Sequence, residues 1–187
     1  MDTHNLNGLR VAAILTDGFE QIELTDPRRA LEEVGARVML LAPQEGMVQG
    51  FNGTEKGNRF RVDGVLGQAN PDEFDAVLLP GGVVNADKLR MDRAAREFVR
   101  RIDEAGRPVA VICHGPWLLI SAGLVRGRRL TSYHTLQDDI RNAGGVWIDE
   151  ELVEDGNWVS SRFPDDLPAF NEAMVELFAH QAAGKRR

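Results

Sequence analysis

Residues 108–123 read PVAVICHGPWLLISAG, and we expect the rest of the chain to be arranged around this stretch. An apolar run typical of a buried strand ends at Cys113, the only cysteine of the chain, and His114-Gly115-Pro116 then open a helix-like segment. A strand that turns sharply into a helix presents the turn residue at the edge of a sheet. We therefore expect Cys113 to be a reactive thiol that other parts of the chain position.

The rest of the chain alternates between strand and helix patterns. Apolar runs at residues 9–16, 37–42, 74–79 and 108–112 predict strands covered on both faces, and helices are predicted at residues 19–34, 92–105 and 165–183. Pro27 predicts a kink or a new start in the first helix, and the glycine-rich residues 46–67 predict a hairpin or an edge excursion. The alternation predicts an α/β fold with a doubly wound, mainly parallel sheet and helices on both faces, in one domain spanning residues 1–187.

Composition excludes several function classes. The 29 acidic residues outnumber the 22 basic ones, and the net charge of −7 argues against nucleic-acid and anionic-membrane partners. A single cysteine rules out an intrachain disulfide and favours a reducing compartment, and no apolar run is long enough to span a bilayer. We therefore expect a cytoplasmic protein. Neither a nucleotide-binding glycine motif nor metal-ligand spacing is present, so we predict no cofactor and no metal.

Candidate site residues follow the ends of the predicted strands. Parallel sheets bind ligands in the crevice at the carboxyl ends of their strands, so residues from distant parts of the chain meet at one edge. The residues at these positions are Glu20, Gly81, Gly82, Cys113, Tyr133 and His134.

The chemistry of these residues favours a nucleophilic site. A helix start favours the thiolate of Cys113, although free cysteine is also common as a small buried hydrophobic residue. The His114 side chain need not touch the sulfur, because neighbours on a sharp turn usually point apart, and we expect its backbone N–H to act as an oxyanion donor with Gly81-Gly82 as the second donor. Glu20, if it faces Cys113, would be protonated and donate a hydrogen bond to the thiolate; otherwise it is a solvated acid at a helix start.

Four segments together resemble the ThiJ/PfpI family, which includes the Parkinson-disease deglycase-like proteins and the PfpI intracellular peptidases. They are TDGFEQIEL, EFDAVLLPGG, PVAVICHGPWLLISAGLVRGRRLTSY and DGNWVSSRFPDDLPAF, and the resemblance covers about residues 9–180. It implies a flavodoxin-like fold of the class I glutamine amidotransferase type. Those amidotransferases need a downstream His-x-Glu pair that SSRFPDD lacks, so glutaminase activity is rejected.

The resemblance also implies roles for particular residues. Cys113 corresponds to the nucleophile, Glu20 to the acid that hydrogen-bonds it, and His114 to the base of the peptidase members. Asp87 is the best match for the acidic residue that a neighbouring subunit contributes to the peptidase triad. The family further suggests a homodimer or a hexamer of dimers.

We favour a cofactor-free, stress-response cysteine enzyme that acts on small reactive carbonyls or their protein adducts, as a glyoxalase or deglycase. The first alternative is an intracellular peptidase that uses Cys113, His114 and Asp87 across subunits. The second is a non-enzymatic oxidative-stress sensor or chaperone in which Cys113 is oxidised to sulfinic acid.

Overall fold

The computed structural model describes residues 5–185. Within these residues the strands β1 to β12 are, in chain order, Arg10–Ile14, Phe19–Glu20, Arg37–Ala42, Met47–Asn52, Glu55–Arg61, Gly64–Val65, Ala76–Leu79, Val109–Ile112, Arg129–Leu130, Val146–Trp147, Val153–Asp155 and Trp158–Ser161. The helices α1 to α6 are Ile22–Glu33, Val83–Met91, Arg93–Glu104, Pro116–Ser121, Gln137–Asn142 and Leu167–Lys185.

The central sheet has seven strands in the order β11-β12-β8-β7-β1-β3-β6. All neighbouring strands run parallel except β11, which pairs with β12 in an antiparallel hairpin. The predicted doubly wound, mainly parallel sheet is therefore confirmed, and its four long apolar runs form β1, β3, β7 and β8.

Helices cover both faces of this sheet, which explains why its strands are apolar without alternation. Val11 and Ala13 of β1 pack into the core beneath α1 and α6, whereas Ala12 and Ile14 pack into the core beneath α3, α4 and α5. All four of these side chains are fully buried. The two cores hold the sheet rigid between them, so the loops at its carboxyl edge are fixed at their bases.

A smaller sheet lies beside the carboxyl edge. Strands β4 and β5 form the predicted hairpin, which is confirmed, and β2 adds to it in parallel through Phe19 and Glu20. The short strand β2 comes directly after β1 in the chain, so the hairpin is attached next to the ends of the central strands.

Two helix predictions differ from the structure. The predicted helix over residues 19–34 begins at Ile22, because Phe19 and Glu20 are taken up by the smaller sheet, and Pro27 lies inside α1 without a new start. Helix α2 was not predicted, because its buried Asn85 interrupts the apolar pattern. The Asn85 side chain instead donates to the carbonyls of Pro80 and Gly81, which satisfies its amide inside the fold.

The last helix also differs slightly from its prediction. The predicted last helix over residues 165–183 begins two residues later, at Leu167, because Pro164–Asp166 form a 3₁₀ turn. Across residues 5–185, no helix combines the length and the apolar composition that crossing a lipid bilayer requires.

Candidate active site

Cys113 occupies a strained turn directly after β8. Its φ of 61° makes it the only non-glycine residue with positive φ among the described residues, a conformation that costs an L residue about 1–2 kcal/mol. Hydrogen bonds on both sides hold it there: its N–H donates to the Ser161 carbonyl at 3.1 Å, and its carbonyl accepts the Tyr133 N–H at 2.9 Å. The predicted elbow is confirmed, and neighbouring segments maintain its strain.

The turn Gly81-Gly82 after β7 packs against the elbow with no room for a side chain. A Cβ on Gly81 would lie 2.6 Å from the Cys113 Cβ and 2.5 Å from Oε2 of Glu23. Gly82 has a φ of 89°, and a Cβ there would lie 2.3 Å from the Gly18 carbonyl oxygen. Glycine at these two positions therefore lets the backbone approach the sulfur closely.

The acid beside the cysteine is Glu23. It lies in the first turn of α1 with a fully buried side chain, its Oε2 accepts the Gly81 N–H at 2.7 Å, and its carboxyl group lies beside Cys113. Its Oε1 has no hydrogen-bond partner among the described residues. Burial raises the pKa of Glu23 to about 8, and the negative charge of Glu20 acts in the same direction. The Glu23 carboxyl is therefore mostly protonated at neutral pH.

The prediction that Glu20 is the acid that hydrogen-bonds to Cys113 is wrong. Strand β2 pairs Glu20 with Phe51 of the hairpin, and the Glu20 carboxylate accepts the Gly53 N–H at 3.1 Å. Glu20 lies in the same cleft but is partly exposed. Glu23 was missed, although its place on the apolar face of α1, with Leu24, Pro27 and Leu31, was a signal for a buried carboxyl.

The environment of the sulfur raises the pKa of Cys113 well above its usual value, because burial outweighs the effects that favour the thiolate. Burial and the charge of an ionised Glu23 raise the pKa of Cys113, whereas the backbone N–H groups of Gly82 and His114 hydrogen-bond to the sulfur and lower it. Because Glu23 is mostly protonated at neutral pH, its charge does not oppose the thiolate there. Both groups are therefore mostly protonated at neutral pH, and the pair holds one negative charge at most.

The His114 side chain lies against the sulfur, although neighbouring side chains on a sharp turn usually point apart. Its Nδ1 is 3.2 Å from Sγ of Cys113, and its ring stacks on Tyr133 at 4.8 Å between centroids. Burial, and to a smaller extent the nearby His134, lowers the pKa of His114 to about 4. The imidazole is therefore neutral at neutral pH and holds an added proton only weakly.

These residues open into a cleft of about 1060 Å³. Its floor is formed by Gly82, Glu23, Cys113 and His114, with Gly81 directly beneath them. We call the outer lining residues the rim; they are Gly18, Glu20, Phe51, Gly53, Thr54, Val83, Val84, Trp117, Tyr133, Thr135, Phe163 and Pro164.

Two predicted site residues lie outside this lining. His134 packs against Tyr133 with ring centroids 4.3 Å apart, so it contacts the cleft through its neighbour. Asp87 is exposed on α2, and within one chain it does not meet Cys113 or His114. In residues 5–185 we find no group of three His, Cys, Asp or Glu side chains arranged to hold a metal ion.

The arrangement provides the parts for nucleophilic addition to a carbonyl carbon. Cys113 supplies the nucleophile, Glu23 holds an exchangeable proton beside it, and two backbone N–H groups point at the reacting atom. The neutral imidazole of His114 adds a hydrogen-bonding group at 3.2 Å from the sulfur.

Comparison with known proteins identifies relatives that match most of this chain. A deglycase of Pyrococcus abyssi is 44% identical over 169 residues, which cover 90% of this chain and 99% of the relative. Protein/nucleic acid deglycase 2 of Escherichia coli K12 is 41% identical over 170 residues, covering 90% of this chain and 96% of the relative. The crystal structure of Drosophila melanogaster DJ-1beta superposes with a TM-score of 0.82 at 26% identity, covering 94% of this chain and 96% of that one.

The solved relative confirms the flavodoxin-like, class I glutamine amidotransferase-like fold that the resemblance implied. The family model for DJ-1/PfpI matches residues 9–177, which include both Glu23 and the Cys113 elbow. This chain therefore belongs to the DJ-1/PfpI family.

Proposed function

We propose that this protein is a cofactor-free cysteine enzyme of stress defence that acts on reactive dicarbonyl compounds and their protein adducts, as a glyoxalase or deglycase. The observation that carries the proposal is the pair at the cleft floor, in which a buried, mostly protonated Glu23 lies beside the Cys113 sulfur. Deglycases at 41–44% identity support the reaction class.

The first step is addition of the sulfur to an aldehyde carbon. The Cys113 thiol first loses its proton to the neutral imidazole of His114, 3.2 Å away, or to water. The sulfur then forms the S–C bond, the π electrons of the carbonyl move to its oxygen, and that oxygen takes the proton from the Glu23 carboxyl. The product is a hemithioacetal, and the single negative charge of the pair moves from sulfur to Glu23. The N–H groups of Gly82 and His114, which reach the sulfur, stabilise the oxyanion as it forms.

The second step uses the carboxylate that the first step leaves behind. Glu23 removes the proton from the hemithioacetal carbon, the resulting enediolate is reprotonated on the neighbouring carbon, and an α-hydroxy thioester results. Water then cleaves the thioester to a hydroxy acid and frees the thiol. In an aminocarbinol adduct of a protein, the sulfur replaces the amine, which leaves with a proton, and the same hemithioacetal forms.

The shape of the cleft fits this substrate class. Its volume of about 1060 Å³ far exceeds that of methylglyoxal, and its rim is open, so a side chain protruding from a modified protein can enter. Aromatic rings of Trp117, Tyr133 and Phe163 line the entrance and exclude water from a bound carbonyl. We further propose a reducing intracellular location, which keeps the Cys113 thiol available for the reaction.

A second candidate, peptide hydrolysis, is favoured by one surface. On α2, Val83, Val84 and Met91 are 53%, 51% and 74% exposed, and Asp87 is exposed on the same helix. An apolar exposed face of this kind suits a second copy of the chain, and Val83 and Val84 border the cleft. In a homodimer or a hexamer of dimers, Asp87 of one copy would approach His114 of the other and complete a peptidase triad.

One set of assays distinguishes the glyoxalase or deglycase function from the peptidase function. With methylglyoxal and with methylglyoxal-modified N-acetylarginine, we expect Cys113→Ala to lose activity about 1000-fold or more. Glu23→Gln keeps the shape and the hydrogen bond to Gly81 but lacks the proton, so we expect a loss of about 100-fold. The exposed Glu172→Gln on α6, which changes the net charge equally, serves as the control and keeps full activity.

The peptidase candidate requires casein cleavage that disappears in Asp87→Ala and a sedimentation mass above that of one chain. If Asp87→Ala leaves carbonyl turnover unchanged while casein is not cut, the glyoxalase or deglycase assignment stands. A wild-type protein that turns over neither dicarbonyls nor their adducts contradicts the main proposal.

A further inference from the structure

The rim of the cleft carries one charged carboxylate, that of Glu20. Of the described residues that line the cleft, Glu20 and Glu23 are the acidic ones, and none is lysine or arginine. Glu23 is mostly protonated at neutral pH, and the His114 imidazole is neutral. The lasting charge of the cleft is therefore negative and resides on Glu20.

Backbone contacts fix Glu20 but leave its charge uncompensated. Its carboxylate oxygens lie 3.1 and 3.4 Å from the Gly53 nitrogen, and its own N–H donates to the Gly81 carbonyl at 3.3 Å. Among the ion pairs formed by the described residues, none involves Glu20. Its charge also reaches the floor, since it raises the pKa of Glu23. A fixed, unpaired charge that the reacting groups sense acts on any ligand brought to them.

We propose that Glu20 is a specificity-determining residue that selects against anionic carbonyl compounds and admits neutral and cationic ones to Cys113. A carboxylate-bearing or phosphorylated carbonyl compound would place a second negative charge in a partly water-excluded cleft that contains no basic side chain. A neutral dicarbonyl is not repelled by the Glu20 carboxylate, and a guanidinium or ammonium group near the carbonyl is attracted to it. The choice of carbonyl compounds as substrates rests on the proposed function, whereas selection by charge of any reagent that reaches the sulfur does not.

The decisive experiment compares two alkylating agents on the same thiol. Iodoacetamide and iodoacetate have nearly the same size and leaving group, and both attack the sulfur of Cys113, but only iodoacetate is anionic. The ratio of their second-order rate constants cancels the thiolate fraction, so a change in the pKa of Cys113 does not affect it. Because Cys113 is the only cysteine, intact-mass spectrometry follows its modification directly.

We expect Glu20→Gln to lower the iodoacetamide-to-iodoacetate ratio about threefold to tenfold. The amide oxygen of glutamine still accepts the Gly53 N–H, so the hairpin keeps its position. Glu20→Asp retains the charge and keeps a ratio nearer the wild-type value, and Glu172→Gln leaves the ratio unchanged. In 0.5 M NaCl the difference between the wild type and Glu20→Gln shrinks, because salt screens a Coulomb effect and not a steric one.

A parallel assay connects the selection to turnover. With phenylglyoxal and 4-carboxyphenylglyoxal, Glu20→Gln raises kcat/KM for the anionic compound relative to the neutral one by a similar factor. An alkylation ratio within twofold of wild type in Glu20→Gln overturns the inference. A shifted alkylation ratio without turnover of either carbonyl supports charge selection by Glu20 and counts against the proposed function instead.

Discussion

The floor and the rim of the cleft differ in how strictly the fold fixes them. At the floor, a Cβ on Gly81 would meet three side-chain atoms within 3.0 Å, whereas one on Gly53 at the rim would meet nothing within 4 Å. The same contrast holds for the two acids, since Glu23 is fully buried and Glu20 is partly exposed. Dense packing thus fixes the reacting groups, while the open rim can change with little effect on the fold.

The floor and the rim of the cleft therefore have different physical roles. The floor excludes water, which raises the pKa of Glu23 and keeps its proton beside the sulfur of Cys113. The rim remains solvated, so the charge of Glu20 acts at longer range on the approaching ligand. Chemistry at the floor and selection at the rim can therefore be altered separately.

The strongest test of this contrast is Gly81→Ala. The added methyl group would lie 2.6 Å from the Cys113 Cβ and displace both the sulfur and Glu23, so we expect activity to fall about 100-fold or more. We expect the free energy of unfolding to decrease by about 1–3 kcal/mol through overpacking, measured by urea denaturation. Gly67→Ala, where the methyl group meets nothing within 4 Å and φ is not positive, is the matched control. Equal activity in the two variants contradicts a tightly packed floor.

A second test uses the pH dependence of stability. Above pH 7, Glu23 is ionised in the unfolded chain and still largely protonated in the folded one, since its folded pKa is about 8. The folded state binds more protons, so stability decreases as pH rises from 7 to 8, with a slope of up to about 1.4 kcal/mol per pH unit. We expect Glu23→Gln to abolish this slope and to be more stable than wild type at pH 8.

Urea denaturation at pH 7.0, 7.5 and 8.0 measures this slope. The range avoids His114, whose folded pKa of about 4 makes stability fall only as pH drops below about 6.5. For Glu20→Gln at the rim, we expect the slope of unfolding free energy against pH to stay within a few tenths of a kcal/mol per pH unit of the wild-type slope. A slope that persists in Glu23→Gln contradicts the buried, protonated carboxyl.

The smallest expected effect concerns backbone strain at two nearly identical φ angles. Cys113 at the floor has a φ of 61° and Gly53 at the rim a φ of 63°. Alanine should be less stable than glycine by about 1 kcal/mol at each position, because a Cβ clashes in the left-handed region wherever it occurs. We therefore expect the free energy of unfolding of Cys113→Gly to be higher than that of Cys113→Ala. The wild type should be more stable than Gly53→Ala by a similar amount.

Thermal or urea denaturation of these variants gives the two differences. Because Gly53→Ala lies at the rim, it should retain most of the enzymatic activity, whereas both Cys113 variants should be inactive. If alanine and glycine are equally stable at position 113, the elbow is not strained.

Several parts of the site could be predicted from sequence because local chemistry specifies them. The apolar run before Cys113 and the Gly115-Pro116 helix start define the strand-to-helix turn, and Gly81-Gly82 marks a second turn after a buried strand. Parallel topology then brings both turns to the same edge of the sheet.

The identity of the acid could not be predicted in the same way. Glu20 and Glu23 lie three residues apart, and either could have faced Cys113. Pairing of β2 with the hairpin turns Glu20 toward Gly53, and the first turn of α1 then carries Glu23 into the floor. This choice depends on a strand more than twenty-five residues away in sequence, and no local pattern contains it.

Local sequence patterns specify the alternation of buried strands and helices, the edge of the sheet and the position of the thiol, because hydrophobic period and turn residues act locally. Contacts between distant segments select the carboxyl that is buried beside Cys113, the carboxyl that remains charged at the rim, and the position of the His114 ring. Burial and hydrogen bonding between distant segments set these properties, and they change a carboxyl from a solvated charge into a proton carrier.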